Sequence, residues 1–301
     1  MTAPRHLLEI DDLAADELGR VLDLAADPVH PNVLSGRTVG LYFEKQSLRT
    51  RHSCEAAVVQ LGGHPVTFRA EEVGTDSREP LTDIARVLSG YHAAIAGRVY
   101  RHGDLEAWAA AATVPVVNLL SDLGHPCQAI ADLLTMRERW GDLAGRTVCW
   151  VGDYNNVARS LCLGAAAAGM RLRIASPDGY GPTDEDLDRL AANGLAEAPV
   201  VTTRPHEAAE GADAVHTDVW ASMGQEDEAE ARRQAFEGFR VDDDVMAAAA
   251  PDALFMHCLP AHRGEEVAAS VVDGPQSVVI PQAHNRLHAF RGVLRFLLEE
   301  A

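Results

Sequence analysis

Hydroxyl and guanidinium side chains are concentrated in the segment Ser47-Leu48-Arg49-Thr50, which follows an apolar run and opens a stretch with a helical pattern. The N-terminus of a helix presents unpaired backbone N–H groups and a partial positive charge. The side chains of Ser47, Arg49 and Thr50 add donors that match the oxygens of a phosphate group. The segment alone could equally be a capped, solvated helix start. Together with the clusters below, it predicts a phosphate-binding cradle.

Five further polar clusters also follow apolar runs. A single histidine or cysteine in such a position is more often a packing or capping residue than a catalytic one. Five clusters at the expected edge of a sheet are hard to explain by packing, so they predict a ligand site. The clusters are Arg98, His125-Pro126-Cys127-Gln128, Asp153-Tyr154-Asn155-Asn156, Asp218-Val219-Trp220-Ala221-Ser222-Met223-Gly224 and His257-Cys258-Leu259-Pro260.

The apolar runs themselves have the length and β-branched composition of buried strands, and helical patterns separate them. This alternation predicts an α/β fold with two doubly wound parallel sheets, one in each of two domains of similar size. The first series of strands is Thr38–Phe43, Pro65–Phe68, Ala93–Gly97 and Val114–Leu119. The second series is Thr147–Val151, Leu172–Ala175, Val200–Thr203, Ala214–Thr217, Leu254–Cys258 and Ser277–Ile280.

A polar stretch, Arg137–Arg146, separates the two series and contains two glycines. We therefore expect residues 1–136 to form the first domain and residues 137–285 the second. The final segment, Asn285–Glu299, has a helical pattern, but the pattern does not fix the domain against which it packs.

Composition excludes several classes of function. The formal net charge of −19 opposes binding to nucleic acid or to an anionic membrane surface, so an anionic substrate needs a local basic pocket. No apolar run is long enough to span a bilayer, and the first residues do not have the pattern of a secretory signal. We expect a cytoplasmic protein. The five cysteines show no CxxC spacing, which predicts neither a disulfide framework nor a zinc site.

The motifs, in their order along nearly the whole chain, closely resemble those of the ornithine carbamoyltransferases. The Ser47–Arg51 and His125–Gln128 motifs are shared by the aspartate and ornithine carbamoyltransferases. The Ser222-Met223-Gly224 and His257–Pro260 motifs are those that the ornithine enzymes show. Asp218 and the pair Asn285-Arg286 complete the resemblance.

This resemblance implies an N-terminal domain that binds carbamoyl phosphate, a C-terminal domain that binds the amino acid, and a last helix, within residues 286–301, that returns to the first domain. It also implies a homotrimer or a multiple of trimers, without a cofactor. The residues expected to bind carbamoyl phosphate are Ser47, Leu48, Arg49, Thr50, Arg98, His125, Gln128, Cys258, Leu259 and Arg286. Those expected to bind L-ornithine are Asn155, Asn156, Asp218, Ser222 and Met223.

The chemistry of the residues agrees with these roles. A free δ-amine has a pKa near ~10.4, so it must lose a proton before it attacks a carbonyl. Cys258 could accept that proton or orient the amine, while Asp218 is expected to bind the α-ammonium group. Arg98 and His125, with Thr50, could stabilise the charge that grows on the carbamoyl oxygen. No metal, nucleotide or covalent intermediate is required, and the expected catalytic residues are Cys258, Arg98 and His125.

Several positions depart from the family pattern, and three of them bear on the acceptor and on activity. Leu48 replaces a threonine, Gly74 stands where a histidine or glutamine is often donated to the neighbouring subunit's phosphate, and His284 replaces a glutamate. They motivate two alternatives: a carbamoyltransferase for another amine, such as an N-acylated ornithine, putrescine or a specialised-metabolite diamine, and a non-catalytic protein with a decayed site.

A nucleotide-binding site at Val151-Gly152-Asp153 is not predicted, because the segment lacks the three-glycine fingerprint of such a site.

Overall fold

Strand β1, Thr38–Phe43, has five buried residues in succession, which is the pattern of a strand covered on both faces. The computed structural model describes residues 3–73, 79–221 and 226–300, except for the side chains of Glu226 and Glu300. Three further strands belong to the same parallel sheet: β2 His64–Arg69, β3 Ala94–Arg98 and β4 Val116–Leu120. The order of the four strands is β2-β1-β3-β4.

This sheet belongs to the first of two compact units, which comprises Met1–Leu134 and His284–Ala301. Tyr42 and Trp108 pack at a ring-centroid distance of 5.1 Å in its core. The α-helices that begin in this part of the chain are α1 Ala15–Ala26, α2 Leu48–Gln60, α3 Ala70–Val73, α4 Leu81–Ser89, α5 His102–Ala111 and α6 Pro126–Trp140.

The second unit comprises Thr135–Ala283 and contains a second parallel sheet. Its five strands are β5 Thr147–Val151, β6 Arg171–Ala175, β7 Val200–Thr202, β8 Ala214–Thr217 and β9 Leu254–His257, and their order is β7-β6-β5-β8-β9. The remaining helices are α7 Asn156–Ala167, α8 Asp184–Ala192, α9 Pro205–Ala209, α10 Ala229–Ala235, α11 Asp243–Ala248, α12 Ala269–Val272 and α13 Val279–Arg295. The prediction of two doubly wound parallel sheets is confirmed.

One predicted strand, Ser277–Ile280, is wrong. Ser277 makes only an isolated bridge with Phe255, and α13 begins at Val279. A short apolar run fits a buried helix start as well as a buried strand, so its pattern could not separate the two. The last helix consequently begins at Val279, six residues before Asn285, at which the sequence pattern predicts its start.

The C-terminal part of α13 packs in the first unit, as the resemblance implied. The buried Arg291 donates through Nη2 to the carbonyl oxygens of Ala25 and Asp27, at 2.8 and 3.0 Å. Gly292 allows α13 to approach α1 closely, because a Cβ atom at this position would lie 2.8 Å from the carbonyl oxygen of Val21 in α1. Arg295 adds an ion pair with Asp27, with 2.8 Å between Nη1 and Oδ2.

In the part of the chain that the structure describes, no helix combines the length and the apolar character needed to cross a membrane.

Candidate active site

The helix start predicted to bind phosphate is the capped N-terminus of α2. Ser47 is the N-cap, and its Oγ accepts a hydrogen bond from the backbone N–H of Thr50 at 3.2 Å. Leu48 is 71% exposed and adds nothing to the core, so its backbone N–H is the group it can offer to an anion. Arg49 is half-buried in the same first turn. This end of α2 therefore has the donors of an anion site.

Two buried arginines from other elements meet this helix at Thr50. Arg98 is the last residue of β3, and its Nη1 lies 3.5 Å from Thr50 Oγ1. The Nη2 of Arg286, from α13, donates to the same oxygen at 3.1 Å. Both guanidinium groups are buried, so solvent screens their charge poorly. This concentration of positive charge in the first unit favours a phosphate group as ligand.

Arg98 reaches this position through the register of the sheet. The carboxyl end of β1, Phe43, pairs with Arg98, and α2 begins five residues beyond Phe43. The register between β3 and β4 shifts between Gly97 and Arg98. Such an irregularity re-aims a side chain at the end of a strand.

His125 and Gln128 border the same cluster from the start of α6. His125 Nε2 lies 3.4 Å from Arg286 Nη1, and Gln128 Oε1 accepts a short hydrogen bond from that same nitrogen. Burial, together with the nearby charges of Arg286 and Arg98, holds the pKa of His125 well below its usual value. A neutral imidazole can polarise a carbonyl by hydrogen bonding without adding a third cation.

In the second unit, the buried carboxylate of Asp218 links Asn155, another of the predicted ornithine residues, to Cys258. Asn155 Nδ2 donates to Asp218 Oδ2 at 3.0 Å, and Cys258 Sγ donates to Asp218 Oδ1 at 3.1 Å. Asn155 is fixed by its other end, because its Oδ1 accepts from the backbone N–H groups of Val157 and Ala158 at the start of α7. Asn156 is half-buried in the first turn of the helix. Asp218 thus offers a negative charge in a rigid frame.

Arg232 is a residue of this region that the sequence did not indicate. It is buried, and its Nη1 donates to Asp153 Oδ2 at 2.7 Å and to the carbonyl oxygen of Trp220 at 3.1 Å. Burial raises the pKa of the Asp153 carboxyl, although its ion pair with Arg232 opposes the shift. The run Ala229–Ala235 reads as an ordinary charged helix, so nothing in its pattern pointed to this contact.

Glu266 is a second such residue, and it acts on the backbone next to Cys258 through His257. The fully buried Glu266 Oε1 lies 3.2 Å from His257 Nε2. The N–H of Leu259 donates to His257 Nδ1 at 2.8 Å, so the ring carries its proton on Nε2. Leu259 has a φ of 61°, which is uncommon for any residue but glycine. The Glu266 and His257 pair therefore helps to fix an unusual turn after Cys258.

Two groups of side chains within the described residues have atoms close enough to share a metal ion: Asp218, His257 and Cys258, and His262, Glu265 and Glu266. In the first group both ring nitrogens of His257 already have hydrogen-bonding partners. A metal there would have to displace one of them.

The structure thus links most of the predicted residues into one cluster in each unit. Thr50, Arg98, His125, Gln128 and Arg286 are connected in the first, and Asn155, Asp218 and Cys258 in the second. Ser222, Met223 and Gly74 lie outside the described residues.

Comparison with known proteins gives matches over both units. Residues 5–138 match the carbamoyl-P binding domain of aspartate/ornithine carbamoyltransferase, and residues 144–297 match the Asp/Orn binding domain. An ornithine carbamoyltransferase of Acidothermus cellulolyticus is 51% identical over 304 residues, covering 99% of this chain and 97% of the relative.

Solved structures agree with these matches. An ornithine carbamoyltransferase from Pyrococcus furiosus has a TM-score of 0.93 and 44% identity, covering 99% of this chain and 98% of that one. A mutant of N-acetyl-L-ornithine transcarbamylase, solved in complex with PALAO, has a TM-score of 0.87 and 30% identity, covering 97% of this chain and 99% of that one.

Proposed function

The chain belongs to the aspartate/ornithine carbamoyltransferase family, and we propose that it transfers the carbamoyl group of carbamoyl phosphate to the δ-amine of L-ornithine, giving L-citrulline and phosphate. It is an enzyme of the ornithine carbamoyltransferase type, since relatives of that name match over its full length. The observation that carries the proposal is the cluster of Arg98 and Arg286 on Thr50, beside a neutral His125.

Carbamoyl phosphate has three features that this cluster can bind. Its phosphate matches the N-terminus of α2 and the guanidinium groups of Arg98 and Arg286, with Ser47, Leu48 and Arg49 in the same cap and first turn. The carbamoyl oxygen needs donors, which Arg98, Thr50 and the neutral His125 supply. The carbamoyl amino group needs an acceptor, and Gln128 Oε1 is an amide oxygen of this site that can serve as one.

Ornithine needs a partner for its α-ammonium group. Asp218 is a buried carboxylate of the second unit and is oriented by Asn155. We assign the α-ammonium group to Asp218, with Asn155, Asn156, Ser222 and Met223 as the further ornithine-binding residues. Cys258 and Leu259 complete the proposed site.

In the transfer, the uncharged δ-nitrogen attacks the carbamoyl carbon and a C–N bond forms. Negative charge grows on the carbamoyl oxygen, where Arg98, Thr50 and His125 stabilise it. The bond from carbon to the bridging oxygen then breaks, phosphate leaves with the electron pair, and the departing phosphate takes up the proton that the nitrogen loses. Cys258 orients the amine, because its thiol already donates to Asp218.

An N-acylated ornithine is the competing acceptor that the N-acetyl-L-ornithine transcarbamylase relative brings forward. Acylation removes the positive charge from the α-nitrogen. A buried carboxylate such as Asp218 favours the charged, unacylated amino acid, because a negative group without a partner is costly to bury. The 51% identity to an ornithine enzyme supports the same acceptor.

We expect the purified protein to form citrulline and phosphate from ornithine and carbamoyl phosphate without added metal or nucleotide. A screen of ornithine, N-acetylornithine and putrescine, with measurement of phosphate release and identification of the ureido product by mass spectrometry, tests this. Turnover with N-acetylornithine but not with ornithine would contradict the acceptor, and a folded protein with no turnover would contradict the reaction.

A second expected result concerns Cys258. Cys258→Ala should lower kcat by about 10²-fold, the scale of a lost positioning or proton-transfer group, with little change in unfolding temperature. Cys258→Ser should keep much of the rate, because a hydroxyl can also donate to Asp218. An alanine variant with the full rate per folded molecule would reduce Cys258 to a packing residue, and an inactive serine variant would favour thiolate chemistry.

The finer attributes are also proposals. The family resemblance supports a homotrimer or a multiple of trimers, and a place in arginine biosynthesis. The net charge of −19 supports an enzyme that does not bind nucleic acid or anionic membranes. A cytoplasmic location is proposed with it. The chemistry of the proposed reaction uses no cofactor.

A further inference from the structure

A buried carboxylate lies directly behind the carbamoyl phosphate cluster, which is the linked set of Thr50, Arg98, His125, Gln128 and Arg286. Asp132, in α6, is fully buried, and its Oδ1 accepts a hydrogen bond from Gln128 Nε2 at 2.8 Å. The two residues are four apart in the helix, so their side chains lie on the same face. The carboxylate is unexpected at this place, because a buried negative charge opposes the binding of an anion nearby.

Asp132 and Arg286 together allow only one orientation of the Gln128 amide. A carboxylate accepts hydrogen bonds, whereas a guanidinium only donates them. Asp132 therefore accepts from the amide N–H₂ group of Gln128, and Arg286 Nη1 donates to the amide oxygen. Flipping the amide would bring two acceptors together at Asp132 and two donors together at Arg286. The orientation is set by the chemistry of the two partners.

This orientation decides what the site can recognise. Most of the groups around the cluster are donors, namely the end of α2 and the side chains of Arg98 and Arg286. They suit phosphate and carbonyl oxygens but not an amino group. The second lone pair of Gln128 Oε1 provides an acceptor beside them. An N–H₂ group on the carbonyl carbon could bind it, whereas a methyl group could not.

We propose that Asp132 is a positioning residue that makes the site selective for a carbamoyl over an acyl phosphate, by fixing the Gln128 amide with its oxygen available to the substrate. The proposal rests on the proposed function, because it takes carbamoyl phosphate as the ligand of this cluster. Selection of this kind is effective, since a buried group built to hydrogen-bond a substrate is left unpaired by an analogue that lacks the matching group.

The charge of Asp132 gives the proposal a distinctive signature. Removing the carboxylate releases the Gln128 amide, which weakens recognition of the carbamoyl amino group. It also removes a negative charge behind the arginines, which strengthens the binding of any anion. The affinities for carbamoyl phosphate and for plain phosphate should therefore change in opposite directions, whereas a general distortion of the site would weaken both.

The test compares the binding of three ligands by the wild-type protein and by the Asp132→Leu variant. Leucine has a branched shape similar to that of aspartate. KM for carbamoyl phosphate and the inhibition constants of acetyl phosphate and inorganic phosphate are measured at saturating ornithine. We expect KM for carbamoyl phosphate to rise by about 10- to 100-fold, the scale of one lost hydrogen bond in a dry site. The inhibition constants of the other two ligands should stay unchanged or fall. Where turnover is too slow, titration of tryptophan fluorescence gives the dissociation constants.

Asp132→Asn is the matched control, because it removes the charge but keeps an oxygen that accepts from Gln128 Nε2. It should bind phosphate more tightly than wild type and keep KM for carbamoyl phosphate within about 10-fold. If Asp132→Leu does not fold, Asp132→Ala replaces it. In a Gln128→Ala background, Asp132→Leu should cause no further loss of affinity for carbamoyl phosphate, because the amide on which it acts is gone.

Equal weakening of all three ligands in Asp132→Leu, or a full additional loss in the Gln128→Ala background, would overturn the proposal and leave Asp132 with a structural role. An asparagine variant as impaired as the leucine variant would also overturn it. These outcomes differ from failure of the proposed function, which would appear as wild-type protein that forms no citrulline.

Discussion

Arg286→Met is expected to lower kcat/KM for carbamoyl phosphate by about 10³-fold, the scale found when one partner of a buried charged pair is removed. The guanidinium of Arg286 donates to Thr50 and to Gln128 and lies 3.4 Å from His125 Nε2. The variant therefore removes a positive charge and also a donor that orders three neighbours. Methionine keeps most of the apolar stem, so the packing of α13 is little changed. Steady-state kinetics with each substrate varied in turn measures the effect.

Arg295→Met is the matched control, because it removes an arginine from the same helix. Arg295 is also buried but pairs with Asp27, away from the cluster at Thr50. It should lower the unfolding temperature while leaving KM for carbamoyl phosphate within about 3-fold of wild type, as expected for separate sites. Normal kinetics of the Arg286→Met variant would contradict a place for Arg286 in the proposed site. The same kinetic loss in the Arg295→Met control would also contradict it.

Asp218→Asn is expected to raise KM for ornithine by about 10²- to 10³-fold, because the α-ammonium group loses its charged partner in a buried place. KM for carbamoyl phosphate should change little. Asparagine can still hydrogen-bond Asn155 and Cys258, so the surrounding frame is retained. The carboxylate could bind the α-ammonium group or act on the δ-amine. L-Norvaline separates these two roles when it is used as a competitive inhibitor, because it has the same α-carbon groups as ornithine but lacks the δ-nitrogen.

If Asp218 binds the α-ammonium group, Asp218→Asn weakens the binding of norvaline and the binding of ornithine equally. Unchanged inhibition by norvaline would instead show that the carboxylate acts on the reacting δ-amine. Asp186→Asn is the control, because Asp186 is an equally buried carboxylate of the same unit that pairs with Arg159 at 2.8 Å. It should affect stability but not the affinity for either amino acid.

Local pattern predicted the strands and the places where they end, because parallel strands are short, buried and apolar. Every predicted strand except Ser277–Ile280 is present, with ends shifted by one or two residues at several of them, as at β3 and β4. The pattern failed at Ser277–Ile280, where a helix start is buried to the same degree as a strand. Family motifs predicted the residues that the structure links at Thr50 and Asp218.

What the sequence could not predict are partners that meet across long separations. Arg232 pairs with Asp153, 79 residues away, and its own helix reads as a solvated one. Asp132 lies close to Gln128 in sequence, but only the three-dimensional contacts show that Arg286 constrains the opposite end of the same amide. Such roles depend on which group lies behind another, and neither periodicity nor composition contains that information.

The return of α13 to the first unit also has a consequence for the order in which the molecule matures on the ribosome. Thr50 and Arg286, which share a hydrogen bond, are separated by 236 residues, and the second unit is synthesised between them. A nascent chain that has completed the first sheet still lacks one of the two buried guanidiniums of that unit's cluster. The second unit can be translated and folded in the meantime, since domains generally fold as units. Competence to bind the proposed anionic substrate therefore arises only after the second unit has been synthesised.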